Sequence, residues 1–225
     1  LIDSSCGLFN DVTAVVVGKD GQASASGSEI NFSFDIGGAY GLNVASEAIT
    51  VSQEDVAAAL SGLDITSITA STLDLLTSGK ITDSGNIAVT NEAKFNSTGS
   101  EILLGDGKAA DGTTVVAETT GFGSLDFAGG IITITEDDAM AIAASEATGA
   151  LTLTANGAIT QTTDATAGPI DAISTSSFNS GANVITLTQA NDFAGAVSLT
   201  NTGDNLVQVT DANAIDLGAV SVGGA

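Results

Sequence analysis

The sequence predicts an all-β chain wound as a parallel β-helix, with three observations behind that expectation. Short landmarks recur in order through the C-terminal two-thirds. Between them, apolar residues come in pairs split by a single polar or small residue. These pairs then return at intervals of about 20 to 22 residues, the length three short strands and their turns need for one coil.

The landmarks are four. Gly79-Lys80-Ile81-Thr82 returns as Gly157-Ala158-Ile159-Thr160, and Phe95-Asn96-Ser97 as Phe178-Asn179-Ser180. Asp126-Phe127-Ala128-Gly129 returns as Asp192-Phe193-Ala194-Gly195, and Asp138 to Ile142 as Asp211 to Ile215. The offsets are 78, 83, 66 and 73 residues, an imperfect period of roughly 75 that holds three to four coils. A unit of this kind buries its apolar face only when neighbours stack on it.

The shorter pattern is clearest from residue 184 onward. Ile185 and Leu187, Val197 and Leu199, Val207 and Val209, Ile215 and Leu217, and Val220 and Val222 alternate with Thr186, Ser198, Gln208, Asp216 and Ser221. Period-two alternation places one row inside and one row in water. Val and Thr suit that pleated surface, and the Asn, Asp and Gly between the pairs supply turns. Ile185 to Val207 is 22 residues and Val197 to Leu217 is 20, which predicts that each pair stacks one coil apart. A β-sandwich is the alternative, since short strands at regular spacing also build it. Against it stand the shortness of the strands and the single Asn-Gly hairpin signal in the repeats, Asn156-Gly157.

Residues 1–47 do not match the repeat and read as an irregular N-terminal β segment or cap, with strands at Val12 to Val17 and Ile30 to Ile36; residues 48–225 read as the solenoid repeats. Two stretches carry helical signals, Ser52 to Leu60 and Thr135 to Ala144, each with acids before an apolar run. For the second, the match of Asp138 to Asp211 favours strand or turn, because equivalent repeat positions are expected to share a conformation. A helical turn at 53–60 stays open.

Composition narrows function. Of 225 residues, 43% are hydrophobic, only 4% are aromatic and none is Trp, which suits a narrow aliphatic core. The lone Pro169 leaves the strands their backbone donors. Four Lys (19, 80, 94 and 108) face 27 acids, giving a net charge of −23 with no Arg or His. Phosphate neutralisation needs a basic surface, so nucleic acid is not an expected partner, and an anionic membrane surface is disfavoured by the same repulsion. No apolar run has the length of a membrane-spanning helix, so membrane insertion is not expected. Cys6 stands alone and reads as an inert buried thiol rather than a lipid anchor or a disulfide. Without an initiator Met or a signal peptide, the chain reads as mature, processed or excised from something longer.

The runs Gly157 to Gln161, Phe178 to Leu187, Asn191 to Leu199 and Asp211 to Gly218 resemble the repeats of giant bacterial surface proteins, the filamentous haemagglutinin-like and autotransporter-type adhesins. The resemblance is close over about 148–225 and looser over 77–147, and the first 47 residues lack it. It implies a right-handed parallel β-helix, secretion to the bacterial cell surface, and a role in attachment or in building an extracellular fibre or biofilm matrix. It carries no catalytic residues. The partners it implies are neighbouring repeats, copies of the chain stacked end to end, and host or cell-surface glycans.

Chemistry follows mostly by elimination. Parallel β-helices host polysaccharide lyases and hydrolases, but this chain has one tyrosine, Tyr40, and neither Arg nor His for proton abstraction or acidic-sugar binding. Asp137 and Asp138 are adjacent, and neighbours on a strand point to opposite faces, so a paired-carboxylate hydrolase is not expected. The expectation is a non-enzymatic protein with no cofactor. The one candidate metal site is the acidic, Gly-rich stretch Gly105 to Gly112, where Asp106 and Asp111 are the calcium candidates; Ca²⁺ takes oxygen ligands from such loops. It lacks the full EF-hand ligand series and reads equally as a plain turn. Phe95, Phe127, Phe178 and Phe193 recur with the repeat and read as stacked core rather than a sugar platform. The functional expectation is therefore the shaft of a surface adhesin or extracellular fibre. Its alternatives are a self-assembling filament subunit and a calcium-dependent surface-layer component.

Overall fold

The chain folds, in a computed structural model, as a parallel β-solenoid. The structure describes the backbone of residues 14–17, 29–33, 39–52 and 62, and backbone with side chains for 63–223 apart from 78, 98 and 110. The helical signal at 53–60 lies outside the described residues, as do Cys6 and Lys19. All pairings between named strands are parallel, which excludes the sandwich, whose sheets are antiparallel. The single antiparallel bridge, Lys108 with Val115, lies outside the named strands. No helix among the described residues is long and apolar enough to cross a membrane.

Three faces build each coil. The first carries the starts of β4 (Gly62–Leu76) and β5 (Ile81–Asn96), then β6 (Ile102–Leu104), β8 (Ile132–Glu136), β11 (Leu151–Ala155), β14 (Ser176–Asn179), β16 (Val197–Asn201) and β18 (Leu217–Val222). Its Cα partners run Leu63, Ile81, Ile102, Ile132, Leu151, Ser176, Val197 and Leu217. These eight layers enclose seven turns, a rod of roughly 34 Å at about 4.8 Å per layer. The second face holds the middle of β5, the start of β7 (Thr120–Gly129), β9 (Met140–Ile142), β12 (Ile159–Gln161), the start of β15 (Ile185–Phe193) and β17 (Val207–Asp211). The third holds the ends of β5, β7 and β15 with β10 (Ser145–Ala147) and β13 (Ile170–Ala172).

Both predicted spacings are pairs in the register: Ile185 lies beside Val207 and Val197 beside Leu217. Most turns keep the expected length. The interval widens from Ile102 to Ile132, 30 residues, and from Leu151 to Ser176, 25 residues. The extra chain leaves the coil at corners, over 105–119 and 162–169, so the strands on either side stay in register.

Alternation sets the core. In β11, Leu151, Leu153 and Ala155 are buried while Thr152 and Thr154 face out, and β8 and β16 repeat the pattern. Phe95, Phe127, Phe178 and Phe193 are all buried, and Phe178 meets Phe193 edge to face at 5.8 Å. They are core, as their recurrence predicts. Thr135 to Ala144 is strand and bend: β8 ends at Glu136, Asp137 and Asp138 turn the corner, and β9 follows. Tertiary ladder bonds outweigh the local helical preference there. Asn156-Gly157 is a corner bend rather than a hairpin, since β11 and β12 pair with other coils. Leu217, not Ala214, begins the last strand.

Toward the N-terminus, β1 (Ala14–Val17), β2 (Glu29–Ser33) and β3 (Ala39–Ser52) also pair in parallel, and β3 pairs with β4 along its length. β3 runs unbroken through residues 47 and 48, where the sequence reading places the start of the repeats.

Candidate functional site

Outward positions on the three faces differ in chemistry. On the first face, Thr133, Thr152, Ser177 and Ser198 are register partners, and beside them run Thr135, Thr154, Asn179 and Thr200. None carries charge. On the third face, Glu146, Asp171 and Asp192 stack in register, and nearer the N-terminus Asp74, Lys94 and Asp126 do the same. Lys94 bridges Asp126 at 3.6 Å and Glu92 at 3.3 Å. The acidic charge is thus concentrated along one side of the rod and at its corners, leaving a hydroxyl-covered side.

One corner gathers carboxyl groups that sequence places far apart. Asp83 ends its first-face segment pointing inward and is 1% exposed. Both its oxygens accept from Gly105 N, at 3.0 and 3.2 Å. From Gly105 the chain leaves the coil for residues 105–119, and returns at Thr120. Asp106 and Glu118 stand at the two feet of this excursion. Their ligand atoms and that of Asp83 lie within 4.8 Å of one another. Glu118 accepts from Gly107 N through one oxygen, while its Oε2 is buried with no hydrogen-bond partner.

Electrostatics follow from that crowding. Burial, followed by the nearby Glu118 carboxylate, pushes Asp83 up to about 8. Burial also raises Glu118, and Asp106 and Asp64 push in the same direction. Three oxygen donors this close can share protons or hold a hard cation such as Ca²⁺. Asp83 and Glu118 lie outside Gly105 to Gly112, so no reading of that stretch alone finds them; an acid at an inward-facing strand position, as at Asp83, is the only signal.

The two calcium candidates part company here. Asp106 joins the cluster. Asp111 caps the tip of the excursion instead, accepting from Thr113 N at 2.8 Å, Thr114 N at 2.7 Å and Thr114 Oγ1 at 2.6 Å. Those bonds stabilise its ionised form and hold its carboxyl well below the usual range. Asp137 and Asp138, the adjacent pair, occupy the corner one coil above, where Asp137 Oδ2 accepts from Thr120 N at 2.8 Å.

A second buried polar group closes the longer turn at 162–169. Asn191, fully buried, accepts from Gln161 Nε2 at 2.8 Å and Ile170 N at 2.9 Å, and donates to Thr210 O at 2.9 Å. Gln161 also donates to Gly168 O at 3.1 Å. This network joins neighbouring coils and satisfies backbone groups left unpaired by the turn, a structural role.

Comparison with curated proteins and comparison with solved structures give no match. A family profile matches two stretches whose starts, residues 51 and 128, are 77 residues apart, close to the long period read from the landmarks. The chain belongs to the family described as Repeats of unknown function (DUF5649), which matches residues 51–118 and 128–200.

Proposed function

We propose that this chain is a non-enzymatic structural element, the shaft of a bacterial cell-surface adhesin or extracellular fibre. The observation that supports the reading most is the unbroken stack of first-face partners from Leu63 to Leu217. Each turn adds parallel ladder bonds and a layer of buried aliphatic side chains, so length is gained without changing cross-section. The acidic side keeps such a rod soluble. The likeness of its repeats to those of haemagglutinin-like adhesins places this shaft outside the cell, and glycans are the partners in that setting.

A self-assembling filament is the second reading. It is favoured by Leu217, Val220 and Val222, which follow Val197, Leu199 and Asn201 in register and are 56%, 49% and 42% exposed. Such a row accepts a further coil, and here a second copy would supply it.

Electron microscopy of native material, with mass analysis of the intact polypeptide, tests both. Thin rods made by a polypeptide far larger than 22.0 kDa support the shaft. Fibres built of 22.0 kDa chains support the filament. Dispersed chains that turn over a glycan would overturn both.

A further inference from the structure

Only two carboxyl side chains among the described residues are buried, Asp83 and Glu136, and they sit on either side of the excursion at 105–119. Asp83 is part of the cluster above. Glu136 is not, and the role of its carboxyl is unassigned. It is the last residue of β8, on the inward side of the strand, and is 0% exposed.

Its surroundings fix the returning chain. Glu136 Oε1 accepts from Phe122 N at 2.7 Å. One residue on, Asp137 and Thr120 exchange bonds: Thr120 N donates to Asp137 Oδ2 at 2.8 Å and Asp137 N donates to Thr120 O at 2.9 Å. Thr120 Oγ1 donates to Thr135 O. At the other foot, Gly105 packs so tightly on Thr135 O that an added Cβ would lie 2.2 Å from it. The 135–137 segment therefore clips both feet of the excursion.

The clip has one weak point. Glu136 Oε2 is buried with no hydrogen-bond partner. The charges that act on the carboxyl are those of Asp138 and Asp137 on its own turn. From the coil above, Ala155 and Asn156 pack against it, neither titratable. Thr120, Gly121 and Phe122 of β7 bring no titratable group, and the excursion and the coil below bring only further acids, Asp106, Glu118 and Asp83. The nearest Lys, Lys108, is exposed and lies on the excursion itself. An ionised Glu136 would thus be a buried charge among like charges, with one backbone N–H to stabilise it.

We propose that Glu136 is a protonation-controlled latch: as the neutral acid it holds the start of β7 against the 135–137 turn, and its ionisation releases residues 105–122 from the solenoid while the other coils stay wound. Burial, and then the Asp138 carboxylate, raise Glu136 to about 8, which places the release on the alkaline side of neutrality. Since the folded value lies above the ordinary one, the stabilisation is complete in acid and lost as pH rises through about 8.

Amide hydrogen exchange read by mass spectrometry on the full chain tests this, at about pH 6 and about pH 10, on either side of that value, after correction for intrinsic rates. Protection over 105–122 is expected to fall at least about tenfold, while 151–155 and 197–201 keep theirs. Glu136→Gln preserves the acceptor to Phe122 N without a titrating charge, and is expected to hold its protection at both pH values. Should Glu136→Gln fold poorly, Asp138→Asn removes the facing carboxylate and is expected to make the loss shallower. An unchanged pH dependence in either variant, or a loss spread equally over all coils, overturns the latch.

Discussion

Ile81 and Ile159 begin the same sequence landmark, yet they lie on different faces: Ile81 pairs with Ile102 on the first, Ile159 with Ile185 on the second. Phe95 and Phe178 are displaced in the same sense, from the third face to the first, whereas Phe127 and Phe193 both stay on the third. For the displaced landmarks the repeat is three turns plus one face. The expectation that equivalent positions share one place in the coil fails for this reason. The faces are interchangeable, because each asks only for inward apolar residues at every second position.

That interchangeability makes register, rather than sequence identity, the quantity that matters. Deleting residues 176–196 removes the 21-residue interval between Ser176 and Val197, and places Val197 where Ser176 met Leu151. The shortened chain is expected to unfold cooperatively at a somewhat lower Tm. Deleting 176–195 instead moves every following inward side chain outward, and is expected to aggregate. Circular dichroism melts with size-exclusion chromatography tell the two apart; equal behaviour would contradict the register.

Core loss can be located at one side chain. Phe178 is fully buried and meets Phe193 edge to face. Phe178→Ala is expected to cost about 3–5 kcal/mol in urea unfolding, the usual price of removing a buried aromatic ring. A cost below about 1 kcal/mol would mean that the ring does not sit in a packed interior.

Backbone approach predicts a second kind of sensitivity. A Cβ on Gly85 would stand 1.8 Å from Thr66 O, while Gly181, at φ +57°, has nothing within 4 Å. Gly85→Ala is expected to destabilise by about 1–3 kcal/mol through overpacking against a backbone atom. Gly181→Asn is expected to be nearly neutral, as Asn tolerates the left-handed region. Denaturant midpoints measured side by side decide the ranking.

The Asn191 network offers a double-mutant cycle. Asn191→Ala leaves Ile170 N, Thr210 O and the Gln161 amide without their partner, at roughly 1–3 kcal/mol for each orphaned group. Because Gln161 and Asn191 bond directly, their substitutions are expected to couple by about 0.5–3 kcal/mol. Additive losses would show that the two amides act separately.

Asp83 gives a pH test independent of Glu136. Its folded value of about 8 exceeds the ordinary 3.8, so its contribution to stability is whole below about 4 and disappears as pH rises through about 8. Glu118→Gln removes a neighbouring charge that pushes Asp83 up, and is expected to lower the Asp83 value measured by carboxyl-carbon NMR. No movement would place Glu118 out of electrostatic reach.

The sequence by itself determined the class of fold and much of its interior. Alternation at Ile185 and Leu187 or Val197 and Leu199 states which side chains are buried, since a strand's side-chain period is a local property of the backbone. The spacing of those pairs gave the coil length, and the recurrence of Phe95, Phe127, Phe178 and Phe193 marked them as core. The tertiary structure alone decided which face each repeat occupies and which acids meet. Thr135 to Ala144 carries a helical signal that only the neighbouring ladders override. Asp106 looked like a partner of Asp111, its near neighbour in the chain, but finds Asp83 and Glu118 instead. Those contacts depend on the summed lengths of whole turns and of the 105–119 excursion, and no local pattern encodes that sum.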